Sequence, residues 1–387
     1  MFFSRKRKKI ERVLVLDIGS GSVGVSTATV FDHDSKTPAL IESVFRSPIN
    51  IVGDFDFERF LEATIKALDN CLKGIHDSKV KRPDSALIVF ASPWYSASPR
   101  TANFSKGSDF IFSNKEIQSI LKNEKEAFIR EVSGNQDEKM DNFVILDEIV
   151  HSISLNGYPQ NNPIGKAAKN ISAKIFLTIT EKIVFEKIKE KVKNSYPHIN
   201  IYTSSFMNAL FVSLRDIKML EEDSVLIDIG GEITEVVKVS HGTISSVASF
   251  PSGRRKIIRE IVNMGMGENS LNMYEKGELS PDQVQKIDSV LKSEIEQWSN
   301  ELKKILLQFD GGFLKAKKVC LTVDEDVIKI FYAPILDVLN GIVPVNLPEI
   351  VVIRGDKIES DIKFANQVPK DEFLMIETIF ARRKIFE

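Results

Sequence analysis

Hydrophobic and polar positions along the chain alternate between a two-residue period, which marks strands, and a 3.6-residue period, which marks helices. Residues 12–17, 22–31 and 39–46 are apolar and β-branched and predict three consecutive strands, the last stopped before Pro48. Over 55–73, Phe57, Phe60, Leu61, Thr64, Ile65, Leu68 and Leu72 recur at helical spacing. A charged linker, 79–84, leads to a strand at 86–91. The texture then changes. Residues 92–108 are Ser-rich and broken by proline, and read as a hairpin and loop. A helix over 113–130 starts at Ser113 with Glu116 three residues on, the two halves of a capping box. Strands at 143–155 and 171–180 complete a strand, helix, strand, strand module.

Past the module the pattern predicts a helix at 181–195, a strand at 199–202 and a helix through Phe206, Leu210 and Leu214. Three more strands run from Val225 to residue 250. A basic helix, 254–263, is broken at Gly265-Met266-Gly267. The longest helix starts at Ser280, with Pro281 at its first position and Gln283 completing the cap, and its stripe includes Trp298 as a core anchor. Short buried strands at 319–322 and 350–353 flank a helical stretch. A final helix, 371–384, has Phe373, Ile376, Ile379 and Phe380 to bury and a trailing Arg382-Arg383-Lys384; it reads as the closing helix of the second half rather than as a membrane-surface helix. Strands alternating with helices in each half mean α/β architecture.

One short design occurs twice. Leu14-Val15-Leu16-Asp17-Ile18-Gly19-Ser20-Gly21-Ser22 and Val225-Leu226-Ile227-Asp228-Ile229-Gly230-Gly231 both run from a strand to a carboxylate, a glycine turn and a second strand. Glycines there let a phosphate approach backbone N–H groups, and an aspartate at the strand end can hold Mg²⁺ through water. A single copy would serve an ordinary hairpin. Two copies, each followed by a third strand, indicate similar halves closing on one site.

Composition narrows the classes. A chain of 387 residues, 43% hydrophobic, can bury cores for two to four subdomains. A net charge of −2 gives no general attraction to nucleic acid. Cys71 and Cys320 are the only cysteines, which fits a reduced, cytoplasmic protein. No apolar run nears the ~20 residues that span a bilayer. The basic start, with Arg5, Lys6, Arg7, Lys8 and Lys9, reads as a solvated tail with peripheral contact to an anionic membrane as the alternative. His33, His76, His151, His198 and His241 are scattered without metal-ligand spacing and read as surface residues, and Arg254, Arg255 and Lys256 as a solvated helix face.

With the paired turns at Asp17 and Asp228 and the run Asn162-Pro163-Ile164-Gly165 before the module's last strand, the chain resembles the actin-like ATPases, and among them the FtsA/PilM family, over nearly its whole length. The resemblance implies a two-lobed, ribonuclease H-like duplicated fold with an FtsA-type inserted module. Its divisions would be a basic tail (1–11), the first lobe (12–91 and 181–222), the module (92–180) and the second lobe (223–387). It implies an ATP and Mg²⁺ site in which Asp17 and Asp228 hold the metal or orient water, and Gly19, Ser20, Gly21, Ser22, Gly230, Gly231 and Thr234 hold phosphates. The family's second loop runs Gly-Gly-Gly-Thr, whereas Glu232 and Ile233 stand at its end here. An acidic Asp324-Glu325-Asp326 replaces the glycine turn that meets adenosine, and Ser270 and Met273 stand where a Glu and a Lys are usual. ATP binding is therefore expected to be weak and hydrolysis slow or absent. The function implied first is an FtsA-like scaffold of bacterial cell division at the cytoplasmic face of the inner membrane, contacting a tubulin-like protein through the module, with self-association also open to it. The alternatives are a PilM-like adaptor of type IV pilus assembly, docking a peptide of an inner-membrane pilus protein, and an active ATPase whose turnover drives polymerisation.

Overall fold

The computed structural model describes residues 10–32, 37–50, 56–134, 140–309, 315–343 and 346–386; the basic run before Ile10 lies outside them. The chain opens with β1 (Ile10–Ile18), β2 (Ser22–Phe31), β3 (Ala39–Pro48), α1 (Phe57–Asp77) and β4 (Ser85–Phe90). It continues through β5 (Ser96–Ile111), α2 (Asn114–Ser133), β6 (Phe143–Leu155), β7 (Tyr158–Gln160) and β8 (Ala167–Glu181). Then come α3 (Lys182–Ser195), β9 (Asn200–Ser205) and α4 (Phe206–Asp216). The second half holds β10 (Ser224–Ile229), β11 (Thr234–Ser240), β12 (Thr243–Phe250), α5 (Arg254–Asn263), α6 (Ser270–Lys276), α7 (Pro281–Gln308), β13 (Lys318–Val323), α8 (Ile328–Ile342) and β14 (Glu349–Val352). The described chain closes with α9 (Gly355–Ile358), β15 (Ile362–Phe364) and α10 (Glu372–Phe386).

The strands form three sheets, ordered β15-β3-β2-β1-β4-β9, β12-β11-β10-β13-β14 and β5-β8-β6-β7. The first two repeat one plan: β1 is antiparallel to β2 and parallel to β4, as β10 is to β11 and β13. Helices α1 and α3 cover the outer face of the first sheet, and α5, α7 and α8 that of the second. Between the two inner faces lie α4 and α10, in one core with Val13, Val15, Leu226, Val237 and Cys320. Every residue of α10 from Leu374 to Ala381 is buried, Glu377 and Thr378 with the apolar ones, whereas a membrane-surface helix keeps its polar face to solvent. Burying each large side chain there contributes about 1.5–3 kcal/mol. The segment read as closing the second half thus returns to the first: β15 pairs with β3, and α10 lies on β1 and β2.

The third sheet, built wholly from the module, has α2 on one face, and the Ser113–Glu116 capping box is formed. Where a hairpin and loop were expected, β5 is one long strand. It pairs with β8 from Ser96↔Ile179 to Ile111↔Ala167, with a break in register between Ser105 and Phe110, and this ladder outweighs the low strand propensity of its Ser and Asn residues. Pro99 is tolerated because β5 is an edge strand. A bulge in β6 between Ile145 and Asp147 aims the Asp147 carboxylate at the first lobe. There it accepts hydrogen bonds from Thr178 Oγ1 (2.6 Å), Ser204 Oγ (2.7 Å), Ser205 N and Oγ (2.8 and 2.9 Å) and Asn208 Nδ2 (2.9 Å). This fully satisfied buried carboxylate fastens the module to the β9–α4 corner.

Candidate functional site: a closed cleft between twin glycine turns

The two predicted turns face each other across the cleft, and each is shut by the same hydrogen bond. Gly19 N donates to Ser22 O (3.2 Å), and Gly230 N donates to Ile233 O (3.0 Å). Glycine is required where they meet: a Cβ on Gly231 would lie 2.5 Å from Gly21 N. Glu232 N donates to Ser20 Oγ (3.0 Å), and Arg255 Nη2 reaches from α5 to Gly21 O (2.8 Å). The amides of Arg254 and Arg255 at the start of α5 donate to Gly230 O and Gly231 O (3.1 and 2.8 Å). Trp94, stacked on Phe60 with ring centroids 4.4 Å apart, braces the first turn through Nε1 to Gly19 O (2.9 Å).

The remaining cavity, about 40 Å³, is lined by Asp17, Ser20, Ser22, Arg46, Asp228 and Asp324 among others. That is room for a few waters, against the ~300 Å³ or more of a typical ligand pocket. Arg46 takes much of the cleft. Its Nη2 donates to Asp17 Oδ2 (2.8 Å), Nη1 to Ser22 Oγ (2.8 Å), and Nε and Nη2 grip Asp371 at 2.6 and 2.9 Å. The sheet register explains the reach. Asp17 faces Gly24 on β2, and Gly24 faces Arg46 on β3. A Cβ on Gly24 would come within 2.6 Å of Arg46 Nη2, so this glycine clears the path of the guanidinium.

Burial sets the electrostatics. It pushes Asp17 up to about 6 against the pull of Arg46. Asp228 is raised by burial to about 8, although Thr322 Oγ1 donates to it at 2.7 Å. Opposite Asp228 in the register stands Glu235, raised by burial to about 7 while it accepts from Tyr95 Oη (2.7 Å) and Ser92 Oγ (2.8 Å). For Asp371 burial alone would raise the carboxyl, but the Arg46 charge and hydrogen bonds bring it below the usual range. Glu377, fully buried on α10 near Asp17 and Arg46, is raised well above that range by burial, and neither of its oxygens has a hydrogen-bond partner among the described residues.

The structure therefore brings together Asp17, Gly19, Ser20, Gly21, Ser22, Asp228, Gly230 and Gly231. Thr234 stands apart: its hydroxyl donates to Ser252 O (2.6 Å) and accepts from Trp298 Nε1 (2.9 Å) inside the second lobe. Ser270 and Met273 do not line the cavity. Glu232 turns to Arg259 (2.6 Å) instead of into the cleft. The three basic residues expected on a solvated face are engaged instead: Arg254 with Asp326, Arg255 with Gly21, and Lys256 with Glu294 (2.9 Å). His151 is likewise not a surface residue. It packs near Phe176 and Phe211, and burial lowers it to about 4. Arg46, Asp371, Trp94 and Glu235 were missed; Gly24 inside a β-branched strand was the signal available for the first.

As closed here, these residues do not fit a magnesium–nucleoside triphosphate. The amides of Gly19, Gly230 and Glu232 are taken, the glycines touch, and the cation beside Asp17 is the protein's own. Among the described residues no three His, Cys, Asp or Glu side chains are grouped to hold a metal ion, and no helix is long and apolar enough to cross a membrane.

No family model and no curated protein matches the chain. Solved structures do. A PilM–PilN type IV pilus biogenesis complex contains a chain that is 13% identical, with 98% of this chain and 99% of that one covered at a TM-score of 0.63. Ethanolamine utilization protein EutJ from Carboxydothermus hydrogenoformans is 10% identical over 97% and 90% of the two chains, with a TM-score of 0.48. A protein of actin-like ATPase fold from Bacteroides thetaiotaomicron is 10% identical over 93% and 98%, at 0.44. The fold is that of the actin-like ATPases, in the form found in PilM.

Proposed function

We propose that this chain is a PilM-like cytoplasmic adaptor of type IV pilus assembly, working at the inner membrane and docking protein partners through the module of residues 92–180. The observation that supports it best is the end-to-end likeness to the PilM–PilN structure, over 98% of this chain and 99% of that one. The division-scaffold reading, first on sequence grounds, gives way because the likeness carrying weight is to a pilus protein. The polymerising ATPase gives way because the cleft is shut around Arg46. ATP with Mg²⁺ would bind weakly at most, since it must displace that guanidinium and part the turns. The basic residues ahead of Ile10 would add contact with anionic lipid, about 1 kcal/mol each.

The test is binding of a fluorescent peptide from the cytoplasmic segment of the PilN-type inner-membrane protein, measured by anisotropy. Saturable binding is expected, and replacing 92–180 by a short linker should abolish it. Binding of a tubulin-like division protein in place of the peptide would reject the reading.

A further inference from the structure

We propose that Arg46 is an internal stand-in for the metal–phosphate bridge of this cleft, holding the glycine turns closed with no nucleotide present.

The site for the guanidinium is built rather than incidental. Asp17, Gly24 and Arg46 stand at one register position on three neighbouring strands, and the missing Cβ of Gly24 leaves room for the guanidinium to pass from Arg46 to Asp17. The guanidinium carbon lies 5.5 Å from the centre of the Phe373 ring, so an aromatic face and a glycine backbone bound it. Its donors are matched to Asp17, Ser22 and Asp371 in a fork that a lysine could not reproduce.

Charge supports the assignment. Asp17 and Asp371 share one cation, both carboxylates are buried or nearly so, and removing Arg46 would leave like charges facing one another. Asp17 lies just ahead of the turn that meets Gly231, and a carboxylate buried there calls for a counter-charge. A magnesium ion would supply it in an occupied cleft of this fold, and here Arg46 does.

The duplication provides an internal control. In the second half the position matching Gly24 is Glu235, which faces Asp228 and binds Ser92 and Tyr95. Among the described residues no arginine bridges that side, so the device is not a by-product of repeating the sheet plan. It follows that closure of the cleft, and whatever surface depends on it, does not wait on nucleotide.

Hydrogen exchange on the full chain tests this, read at residues 18–23 and 229–233 with and without millimolar Mg-ATP. In the unaltered protein, exchange in both turns should be the same with and without Mg-ATP. Arg46→Ala should raise it roughly ten- to hundredfold while the sheet cores hold. Arg46→Lys should raise it too, because one ammonium cannot span Asp17 and Asp371. Should Arg46→Ala not fold, Gly24→Ala gives the same comparison by displacing the guanidinium without removing its charge. Protection of the turns by Mg-ATP in the unaltered protein, or unchanged exchange in Gly24→Ala or Arg46→Ala, would overturn the proposal. No pilus partner enters these measurements, so their outcome is separate from that of the adaptor reading.

Discussion

Gly21 and Gly231, from opposite halves of the chain, meet backbone to backbone: a Cβ on Gly21 would lie 3.3 Å from the Gly231 Cα. The contact leaves no room for a side chain on the Gly231 side. Gly231→Ala should therefore part the turns and lower the melting temperature. Overpacking of this kind costs about 1–3 kcal/mol. Gly107→Ala, where a new Cβ meets nothing within 4 Å, is the control and should melt like the parent.

Stability should fall as pH rises from weakly acid to weakly alkaline. Asp17, Asp228 and Glu235 have folded-state values raised to about 6, 8 and 7. Between the ordinary carboxyl range and those values the folded chain binds more protons than the unfolded one, so each group removes up to about 1.4 kcal/mol per pH unit. The loss is complete once pH passes about 8. Urea midpoints from pH 5 to 8 should decline, and Asp228→Asn should flatten the decline. An Asp228→Asn profile as steep as the parent's would refute it.

Glu377→Met should stabilise the protein. The carboxyl is buried, unpartnered and held neutral, so its desolvation is uncompensated. An apolar side chain of similar volume removes that penalty, and a gain of about 1–3 kcal/mol is expected in denaturant titrations. A lower midpoint would mean that the carboxyl makes a contact absent from this arrangement.

Asp147→Ala should loosen the module. Five donors converge on that carboxylate from β8, β9 and α4, and truncation costs about 1–3 kcal/mol for each donor left buried without an acceptor. Limited proteolysis should then cut first within residues 92–180, with the two larger sheets surviving longer. Uniform digestion across the chain would contradict the fastening role.

What could be read from the sequence was local. The twin turns were visible because strand, carboxylate and glycine are contiguous, and the Ser113 and Ser280 caps because their partners lie three residues on. Arg46 was invisible because two strand pairings, not chain distance, bring it to Asp17. The strand β5 was hidden by Ser and Pro residues that only a long partner makes extended. His151 looked like one more scattered histidine until β6 set it near Phe176 and Phe211.

The place of α10 has a further consequence for how the molecule assembles. Strands β1 and β2 leave the ribosome early, yet the helix that covers their inner face is among the last segments described. During synthesis that apolar face stays uncovered until the second sheet and α10 have emerged. The first lobe cannot complete its core before then, and an uncovered apolar face of this kind exposes the nascent chain to aggregation while it waits.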